Sequence, residues 1–424
     1  MTTSIWAVLA GCLAGALLLV IIANMWTGDK QIEHEIEHLY AVGDPSFLRS
    51  MGTLLGPAIL PGNHITALCN GDEIFPAMLA AIREAERTIT FETYIYWSGS
   101  IGKEFADALS ERARAGVRVH VLLDWVGSNK IEQERLEEMK RAGVEVERYH
   151  PLRWYDIHRF NNRTHRKLLV VDGKIGFTGG VGIADNWLGN AQDPDHWRDT
   201  HFRFEGPAVA QMQAAFMDNW VETRGCVLHG EDYFPELKPV GAHLAQVFKS
   251  SANEGSESTR LMYLLSIASA AKSVLLANAY FVPDKLAIAT LVAAKRRGVR
   301  VEIIVPGRHV DSKVVRMASR ASWGDLLEAG IVMYEYQPTM YHTKVMVVDD
   351  LWTSVGSTNF DNRSFRINDE ANLNILDPDV AAGQARQFEA DKARSKEMTL
   401  EWWRNRPVSE RIAERLASVL QSQL

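Results

Sequence analysis

The sequence predicts an α/β protein with two pseudo-symmetric lobes, each a mixed β-sheet flanked by helices, preceded by one N-terminal transmembrane helix. Helical stretches of ten or more residues alternate with short apolar strands, which is typical of an α/β layer. The second half of the chain repeats the pattern of the first, which indicates a duplication. The chain also begins with a long run of residues without charge.

The length and composition are those of a folded protein with more than one core. The 424 residues exceed one ordinary domain, and 46% hydrophobic with 23% charged residues shows no bias toward disorder. The formal net charge of −7 counts against a surface that coats nucleic acid. The three cysteines, Cys12, Cys69 and Cys226, are too few and too far apart for a disulfide framework or a metal cluster.

Residues 1–26 are predicted to be a membrane anchor. They carry no charged side chain, and Trp6 and Trp26 lie near the two ends of the apolar run, where indoles favour the membrane interfaces. A cleaved signal peptide would need a basic start and a cleavage site after the run, and the lipoprotein-like box ending at Cys12 interrupts it. Lys30 follows the run and no Lys or Arg precedes it, which favours a cytoplasmic body.

Residues 27–59 are predicted to be a juxtamembrane linker and helix. Within them, His34 and His38 match the H-E-x-x-H pattern of zinc sites, with both imidazoles on one helical face. We favour a charged, solvated helix over a zinc site, because no third ligand lies nearby in the sequence.

The two lobes are predicted at residues 60–235 and 236–395, with an amphipathic tail at residues 396–424. The same Gly-Val-Arg-Val motif leads into an apolar strand in each lobe, at residues 116–119 and 298–301. Duplication of one unit explains this recurrence better than two unrelated domains.

The stretch "THRKLLVVDG" of the first lobe places two reactive side chains at the start of a buried strand. Because side chains alternate faces along a strand, His165 and Lys167 point the same way. The apolar run that follows ends at Asp172 and a turn glycine. Taken alone, this stretch is more typical of a histidine and a lysine at a strand edge that reach out to water.

The second lobe repeats this stretch as "YHTKVMVVDD". His342, Lys344 and Asp349 have the same spacing as their counterparts in the first lobe, so we interpret the histidines and lysines as a functional pair of motifs. Strand parity places Asp172 and Asp349 on the opposite face, and we expect both to be structural, in a turn or at the lobe interface.

Two imidazoles and two ammonium groups at one point suit the chemistry of a phosphodiester. One imidazole can attack phosphorus while the other protonates the departing alkoxide. Two lysines neutralise the charge that builds on the non-bridging oxygens. The covalent phosphohistidine then reacts with an alcohol or with water. This chemistry calls for no cofactor, and the ligand spacing in the sequence indicates no metal.

The two stretches resemble the paired HKD motifs of the phospholipase D superfamily, and in particular the bacterial cardiolipin synthase branch. The resemblance covers roughly residues 60–395 and includes both lobes. It implies phospholipase D-like lobes and a membrane-anchored phosphatidyltransferase of the cytoplasmic membrane. Such an enzyme joins two phosphatidyl units onto one glycerol through a phosphatidyl-histidine, with phosphatidylglycerol as acceptor.

The resemblance also assigns roles to single residues. By analogy with superfamily members that attack through the N-terminal motif, His165 is the nucleophile and His342 the general acid. The family places a carboxylate about thirty residues after each histidine to fix the ring tautomer, which here selects Asp199 and Glu370.

The family's phosphate loop, Gly-Ser-x-Asn or Gly-Gly-x-Asn, is intact in only one lobe. It implies phosphate binding by Ser357 and Asn359 in the second lobe. In the first lobe Gly182 stands where the asparagine is expected, so we expect a lopsided phosphate cradle.

Two further segments have open interpretations. Residues 152–163 are an insertion that the second lobe lacks, and we expect a wall or lid over one side of a cleft. The tail places apolar side chains on one helical face, and this face either packs on the body or lies on the membrane surface. These side chains are Ile412, Leu416, Val419 and Leu420.

Three other functions compete with phosphatidyl transfer to phosphatidylglycerol. A phospholipase D would resolve the same intermediate with water and release phosphatidic acid. The apolar N-terminal run and the negative net charge argue against a nuclease of the superfamily, so we expect no nucleic-acid partner. The two intact His-x-Lys pairs argue against a non-enzymatic membrane scaffold whose catalytic site has been lost. Phosphatidylethanolamine is a further possible substrate, and the oligomeric state stays open.

Overall fold

The computed structural model describes residues 2–24, 32–152, 161–251, 257–421 and 423. Residues 153–160, which form most of the predicted wall or lid, lie outside this described part of the chain.

The first lobe alternates strands and helices as predicted. Its strands are β1 (Leu60–Cys69), β2 (Thr88–Thr93), β3 (Arg118–Asp124), β4 (Glu145–Tyr149), β5 (Leu168–Val171), β6 (Ile175–Gly179) and β7 (Thr200–Glu205). Its helices are α3 (Asn70–Glu84), α4 (Ser100–Arg114), α5 (Gln133–Arg141) and α6 (Ala208–Arg224).

The second lobe repeats this order with small additions. Its strands are β8 (His243–Ser250), β9 (Ser273–Asn278), β10 (Phe281–Val282), β11 (Arg300–Pro306), β12 (Val332–Tyr336), β13 (Lys344–Val348), β14 (Trp352–Gly356), β15 (Phe360–Asp361), β16 (Glu370–Leu376) and β17 (Ser395–Met398). Its helices are α7 (Ser258–Ala268), α8 (Lys285–Arg296), α9 (Lys313–Ala321), α10 (Trp323–Glu328), α11 (Asn362–Arg366) and α12 (Pro378–Ala393).

The main sheets of the two lobes join into one. Across the described residues this sheet has 15 strands, in the order β17-β12-β11-β9-β13-β14-β16-β8-β1-β7-β6-β5-β2-β3-β4. The order reads the same outward from both sides of the antiparallel β1–β8 contact, apart from the extra edge strand β17. The predicted pseudo-symmetry is therefore a rotation about the β1–β8 contact, and each half is a mixed sheet.

The repeated Gly-Val-Arg-Val motif performs the same local task in both lobes. Gly116 and Gly298 follow α4 and α8 and both have φ of +94°, a conformation that side chains with a Cβ disfavour. The glycine ends the helix, and the Val-Arg-Val that follows enters β3 or β11 next to β2 or β9.

The motif aspartates tie turns to neighbouring strands. Asp172 accepts hydrogen bonds from the backbone N–H groups of residues 86–88, at 2.7–3.0 Å. Asp349 accepts the same three bonds from residues 271–273, at 2.7–2.8 Å. Each aspartate therefore fixes a turn within its own lobe, at the end of the strand away from its histidine.

The segment that precedes the first lobe packs on the second lobe. Helix α2 (Pro45–Leu55) buries Phe47 edge-on against Trp352, with ring centroids 5.0 Å apart. Residues 32–40 form no helix, so the helix predicted around His34 and His38 is wrong. The reason is tertiary packing, since Nδ1 of His38 lies 2.7 Å from the carbonyl oxygen of Ala268. Among the described residues, no group of acidic, cysteine and histidine side chains could hold a metal ion.

Helix α1 (Thr2–Asn24) covers the apolar start of the chain. Leu13 and Leu17 on this helix are 76% and 62% exposed. Within the part of the chain that the structure describes, no helix is both long and apolar enough to cross a membrane.

The predicted tail belongs partly to the second lobe. Strand β17 pairs antiparallel with β12, so the sheet continues three residues beyond the boundary expected at residue 395. Two helices follow, α13 (Leu400–Arg404) and α14 (Val408–Ser418). Helix α14 packs against α9.

Candidate active site

The two His-x-Lys motifs lie at the ends of β5 and β13, where both lobes meet. His165 and Lys167 immediately precede β5, while Lys344 is the first residue of β13. All four motif side chains are buried, with His165 the most accessible at 8%. Each lysine donates a hydrogen bond from Nζ to the carbonyl of its own histidine, at 2.7 Å for Lys167 and 2.8 Å for Lys344. The histidine carbonyl of each motif therefore holds the lysine side chain of the same motif in place.

Short backbone bridges bind each motif to the opposite lobe. The N–H of His165 donates to the carbonyl of Asp369, at 2.8 Å, and the N–H of His342 donates to the carbonyl of Arg198, also at 2.8 Å. Asp369 and Arg198 immediately precede Glu370 and Asp199, the two predicted carboxylates. Each bridge therefore delivers a carboxylate from one lobe to the histidine of the other.

Each histidine is consequently paired with the carboxylate of the opposite lobe. Nδ1 of His165 lies 3.0 and 3.1 Å from the two oxygens of Glu370. Nδ1 of His342 lies 2.7 Å from Oδ2 of Asp199. Spacing along the chain predicts that each carboxylate pairs with the histidine of its own lobe. In the structure each carboxylate pairs with the histidine of the other lobe. In either pair, an N–H at Nδ1 leaves Nε2 as the reactive nitrogen.

The two carboxylates have different supports. The hydroxyl of Ser357 donates to Glu370, whereas Nε1 of Trp187 donates to Asp199 at 2.9 Å. Gly180 occupies the place that corresponds to Ser357, and a Cβ there would lie 2.2 Å from the Asp199 carboxylate. A serine hydroxyl therefore has no room in the first lobe, and an indole replaces it. The sequence signals this difference by Gly-Gly in the first lobe where the second lobe has Gly-Ser.

A family model described as "Cardiolipin synthase, PLD-like domain" matches residues 78–220 and 263–392, one stretch in each lobe. The chain belongs to the cardiolipin synthase family of phospholipase D-like proteins. The family expected from the paired motifs is thus confirmed.

Named relatives cover most of the chain. The cardiolipin synthase of Geobacillus kaustophilus is 36% identical over 361 residues, which is 84% of this chain and 72% of the relative. Cardiolipin synthase 2 of Bacillus anthracis is 34% identical over 350 residues, 82% of this chain and 68% of the relative. The crystal structure of phosphatidylserine synthase from Haemophilus influenzae Rd KW20 matches with a TM-score of 0.68 at 16% identity, covering 89% of this chain and 99% of that one. This likeness confirms the α/β phospholipase D-like fold.

Aromatic rings enclose the two histidines unequally in this family member. Trp187 and Trp197 pack against His342, with centroids 5.2 and 5.6 Å from its ring. Only Tyr94 among the described aromatic rings packs against His165, edge-on at 5.2 Å. The sequence reasoning missed all three aromatic residues, because they lie outside the motifs and chain spacing does not place them.

Burial and mutual repulsion set the charge of the site. Burial lowers the pKa of His165 to about 4 and also lowers the pKa of His342, to which Lys344 contributes. Burial lowers the pKa of Lys167 to about 7 and that of Lys344 to about 8.

The pKa values of the two carboxylates are also lowered, despite their burial. Burial alone would raise their pKa values, but His165 with Lys167 holds the pKa of Glu370 below its usual range. His342 and Lys344 do the same for the pKa of Asp199. Near neutral pH the site therefore combines neutral imidazoles with charged carboxylates and readily titrated lysines.

The Gly-Ser-x-Asn stretch of the second lobe, which is predicted to bind phosphate, differs from its counterpart in the first lobe. Asn359 is buried, and its side-chain oxygen accepts no hydrogen bond from the described residues. At Gly182 an added Cβ would lie 2.8 Å from Cβ of Ile95, so no larger residue fits without movement. Phosphate binding by Ser357 and Asn359 stays a prediction. The hydroxyl of Ser357 is already directed at Glu370.

Proposed function

We propose that this protein is a phosphatidyltransferase that makes cardiolipin from two molecules of phosphatidylglycerol. The observation that carries the proposal is the crossed pair of histidines, each with a buried carboxylate from the opposite lobe. Such a pair supplies one nucleophile and one proton donor to the same phosphodiester. Membership of the cardiolipin synthase family supports the choice of a lipid phosphodiester.

The first half-reaction forms a phosphatidyl-histidine. Nε2 of His165 attacks phosphorus, and the bond from phosphorus to the headgroup glycerol oxygen breaks. Protonated His342 gives its proton to that oxygen, and glycerol leaves. The anionic phosphodiester favours the protonated form of His342, and Asp199 stabilises the imidazolium.

The second half-reaction restores the enzyme. His342, now neutral, removes the proton from a headgroup hydroxyl of a second phosphatidylglycerol. The resulting oxygen attacks phosphorus, the bond from phosphorus to Nε2 of His165 breaks, and cardiolipin is released. Glu370 supports the imidazole of His165 in both steps.

The lysines act on the phosphate oxygens. Lys167 and Lys344 are buried beside the two histidines, so their ammonium groups act where water screens them weakly. They offset the negative charge that builds up as the nucleophile approaches phosphorus.

Product analysis tests the reaction. Purified full-length enzyme receives labelled phosphatidylglycerol, with or without phosphatidylethanolamine. We expect labelled cardiolipin and free glycerol, and release of ethanolamine only if the second lipid also serves as donor. Phosphatidic acid as the sole labelled product would mean that water resolves the intermediate and that the protein is a phospholipase D.

Trapping the intermediate tests the order of the two histidines. Acid-free quenching and peptide mapping should find the phosphatidyl group on His165. We expect the His165→Ala variant to take up no label. A label on His342 would reverse the assignment, and full transfer activity in His165→Ala or His342→Ala would refute the mechanism.

We further propose that residues 1–26 anchor the enzyme in the cytoplasmic membrane, with its catalytic body on the cytoplasmic side. The uncharged residues 1–26, with Lys30 after them, support this arrangement. Protease treatment of sealed inside-out and right-side-out vesicles tests it. Digestion of the body only in right-side-out vesicles would contradict the orientation.

A further inference from the structure

The C-terminal helix α14 turns its acidic side toward the protein. Ala417 packs in a small apolar cluster with Val315 and Ala318 of α9. Glu414 is buried and accepts hydrogen bonds from Arg406, at 2.9 Å from Nε and 2.8 Å from Nη2. Glu410 pairs with Arg320 of α9 at 3.5 Å. Both acidic side chains of this helix are therefore held by ion pairs with arginines, Glu414 in a buried position and Glu410 in an exposed one.

The outer face of α14 is apolar. Val408, Ile412, Leu416 and Val419 follow the helical repeat, and their exposed fractions run from 57% for Ile412 to 74% for Val419. A helix of a water-soluble surface has the opposite arrangement, with its apolar stripe against the core. A contiguous apolar stripe that faces outward indicates a surface that another phase or partner covers.

The charges that share the outer side are basic. Arg411 and Arg415 lie beside the apolar stripe and are exposed. Among the described residues, neither forms an ion pair with an acidic side chain. The outward surface of α14 is thus apolar and positively charged, which is the pattern of helices that lie in the interface of an anionic membrane.

The end of the tail lies beside the active site. Gln421 accepts a hydrogen bond at its backbone carbonyl from Asn362, at 3.2 Å. Gln423 accepts bonds from Asn161, at 2.9 Å, and from Arg363, at 3.3 Å. Asn161 precedes His165 by four positions, and Arg363 follows Asn359 by four. The helix is therefore attached to the two segments that lead to the nucleophile and to the phosphate loop.

We propose that α14 is a membrane-docking helix that lies in the headgroup region of a bilayer containing anionic phospholipid. Its apolar stripe enters the interface and Arg411 and Arg415 contact lipid phosphates, which holds the neighbouring active site at the lipid surface. This inference rests on the proposed function, because a site that takes its substrate from a bilayer must face the bilayer.

Charge favours a membrane over a second copy of the chain. In a two-fold dimer through this face, the arginines of one copy would lie close to those of the other, since both use the same patch. Anionic lipid instead supplies the opposite charge to both.

Depth-dependent quenching tests the docking directly. Full-length protein with Cys12, Cys69 and Cys226 replaced by serine carries one environment-sensitive dye, at Leu416→Cys or at the control Val227→Cys. Val227 is also an exposed apolar residue, in the segment that follows α6. In phosphatidylcholine/phosphatidylglycerol vesicles with brominated acyl chains, we expect quenching at position 416 and much less at position 227. Equal quenching at both positions, or energy transfer between copies labelled at position 416, would overturn the proposal.

Activity provides a second test. The triple variant Ile412→Ser, Leu416→Ser, Val419→Ser removes most of the apolar stripe, and Leu54→Ser, Val227→Ser, Val240→Ser removes three exposed apolar side chains elsewhere. We expect the first variant to lose roughly tenfold in transfer on vesicle-borne phosphatidylglycerol and the second to lose little.

A monomeric short-chain phosphatidylglycerol, assayed with the enzyme in detergent, separates docking from folding. Both variants should keep wild-type rates there. Loss of both rates in the α14 variant, or no loss on vesicles, would contradict docking. Absence of cardiolipin with the wild-type enzyme would refute only the proposed function, since the quenching result does not depend on turnover.

Discussion

The carboxylate of Glu370 lies 3.0 Å from Nδ1 of His165, although the two residues are 205 positions apart and belong to different lobes. Asp199 and His342 repeat this relationship in the opposite direction, at 2.7 Å. A single lobe therefore holds a histidine without its carboxylate and a carboxylate without its histidine. The candidate active site therefore forms only where the lobes meet, which gives duplication a chemical reason.

Replacing Glu370 by glutamine should impair His165 despite the separation in sequence. The amide keeps the shape but removes the charge that supports the imidazole, so we expect transfer to fall roughly 10²- to 10⁴-fold. Glu397→Gln is the matched control, because Glu397 is an exposed carboxylate on β17. Steady-state transfer rates measure the effect, and similar rates in the two variants would show that the crossed pair is dispensable.

Trp187 should act as a positioning residue for His342 through Asp199. Trp187→Phe keeps an aromatic ring but removes the Nε1–H that donates to Asp199. A hydrogen bond to a charged group of this kind suggests a fall in kcat of roughly 10- to 100-fold, with KM little changed. Trp197→Phe is the control, since Trp197 packs against the same imidazole. A rise in KM alone would instead assign Trp187 to lipid binding.

The pH dependence of kcat/KM should have two limbs. In the proposed mechanism His165 attacks phosphorus in its neutral form, and its pKa of about 4 places the rising limb near pH 4. Lys167 and Lys344, with pKa values of about 7 and about 8, lose their positive charge above these pH values. The proposed proton donor His342 must be protonated and burial lowers its pKa, so kcat/KM should begin to fall as His342 loses its proton. The fall should continue through about pH 7 to 8 as the lysines lose their charge. Measurements from pH 3.5 to 9.5 with one lipid dispersion check this, and a rate constant that still rises above pH 8 would contradict it.

Asp349 should contribute to stability more than to chemistry. Its carboxylate satisfies three backbone N–H groups, so Asp349→Ala should lower the free energy of unfolding by about 3 kcal/mol. Asp350→Ala is the control, because Asp350 also has a positive φ, of +53°, and is exposed. Thermal and urea unfolding followed by circular dichroism compare the two. Folded Asp349→Ala enzyme that had lost transfer activity would assign this carboxylate to the reaction.

Local pattern was sufficient for most of the fold. Alternation along β5 and β13 placed each histidine and lysine on one side, and the glycines at 116 and 298 marked where helices end. The helix expected around His34 and His38 failed for the opposite reason. Its charges suit a helix, but Ile32, Ile36 and Tyr40 pack on the core of the second lobe. His38 also contacts the carbonyl of Ala268, and these contacts leave the segment irregular.

The sequence by itself determined the family, the duplicated α/β lobes and the four motif side chains, because these depend on residue type and on spacing within one strand. Only the tertiary structure decided which carboxylate supports which histidine. The β1–β8 contact and the bridges at Asp369 and Arg198 bring together residues from different halves, and the spacing within each half does not encode that pairing. The same holds for the role of Trp187. The Asp199 carboxylate leaves no room for a side chain at position 180, and the indole of Trp187 donates the hydrogen bond that a serine hydroxyl donates in the second lobe.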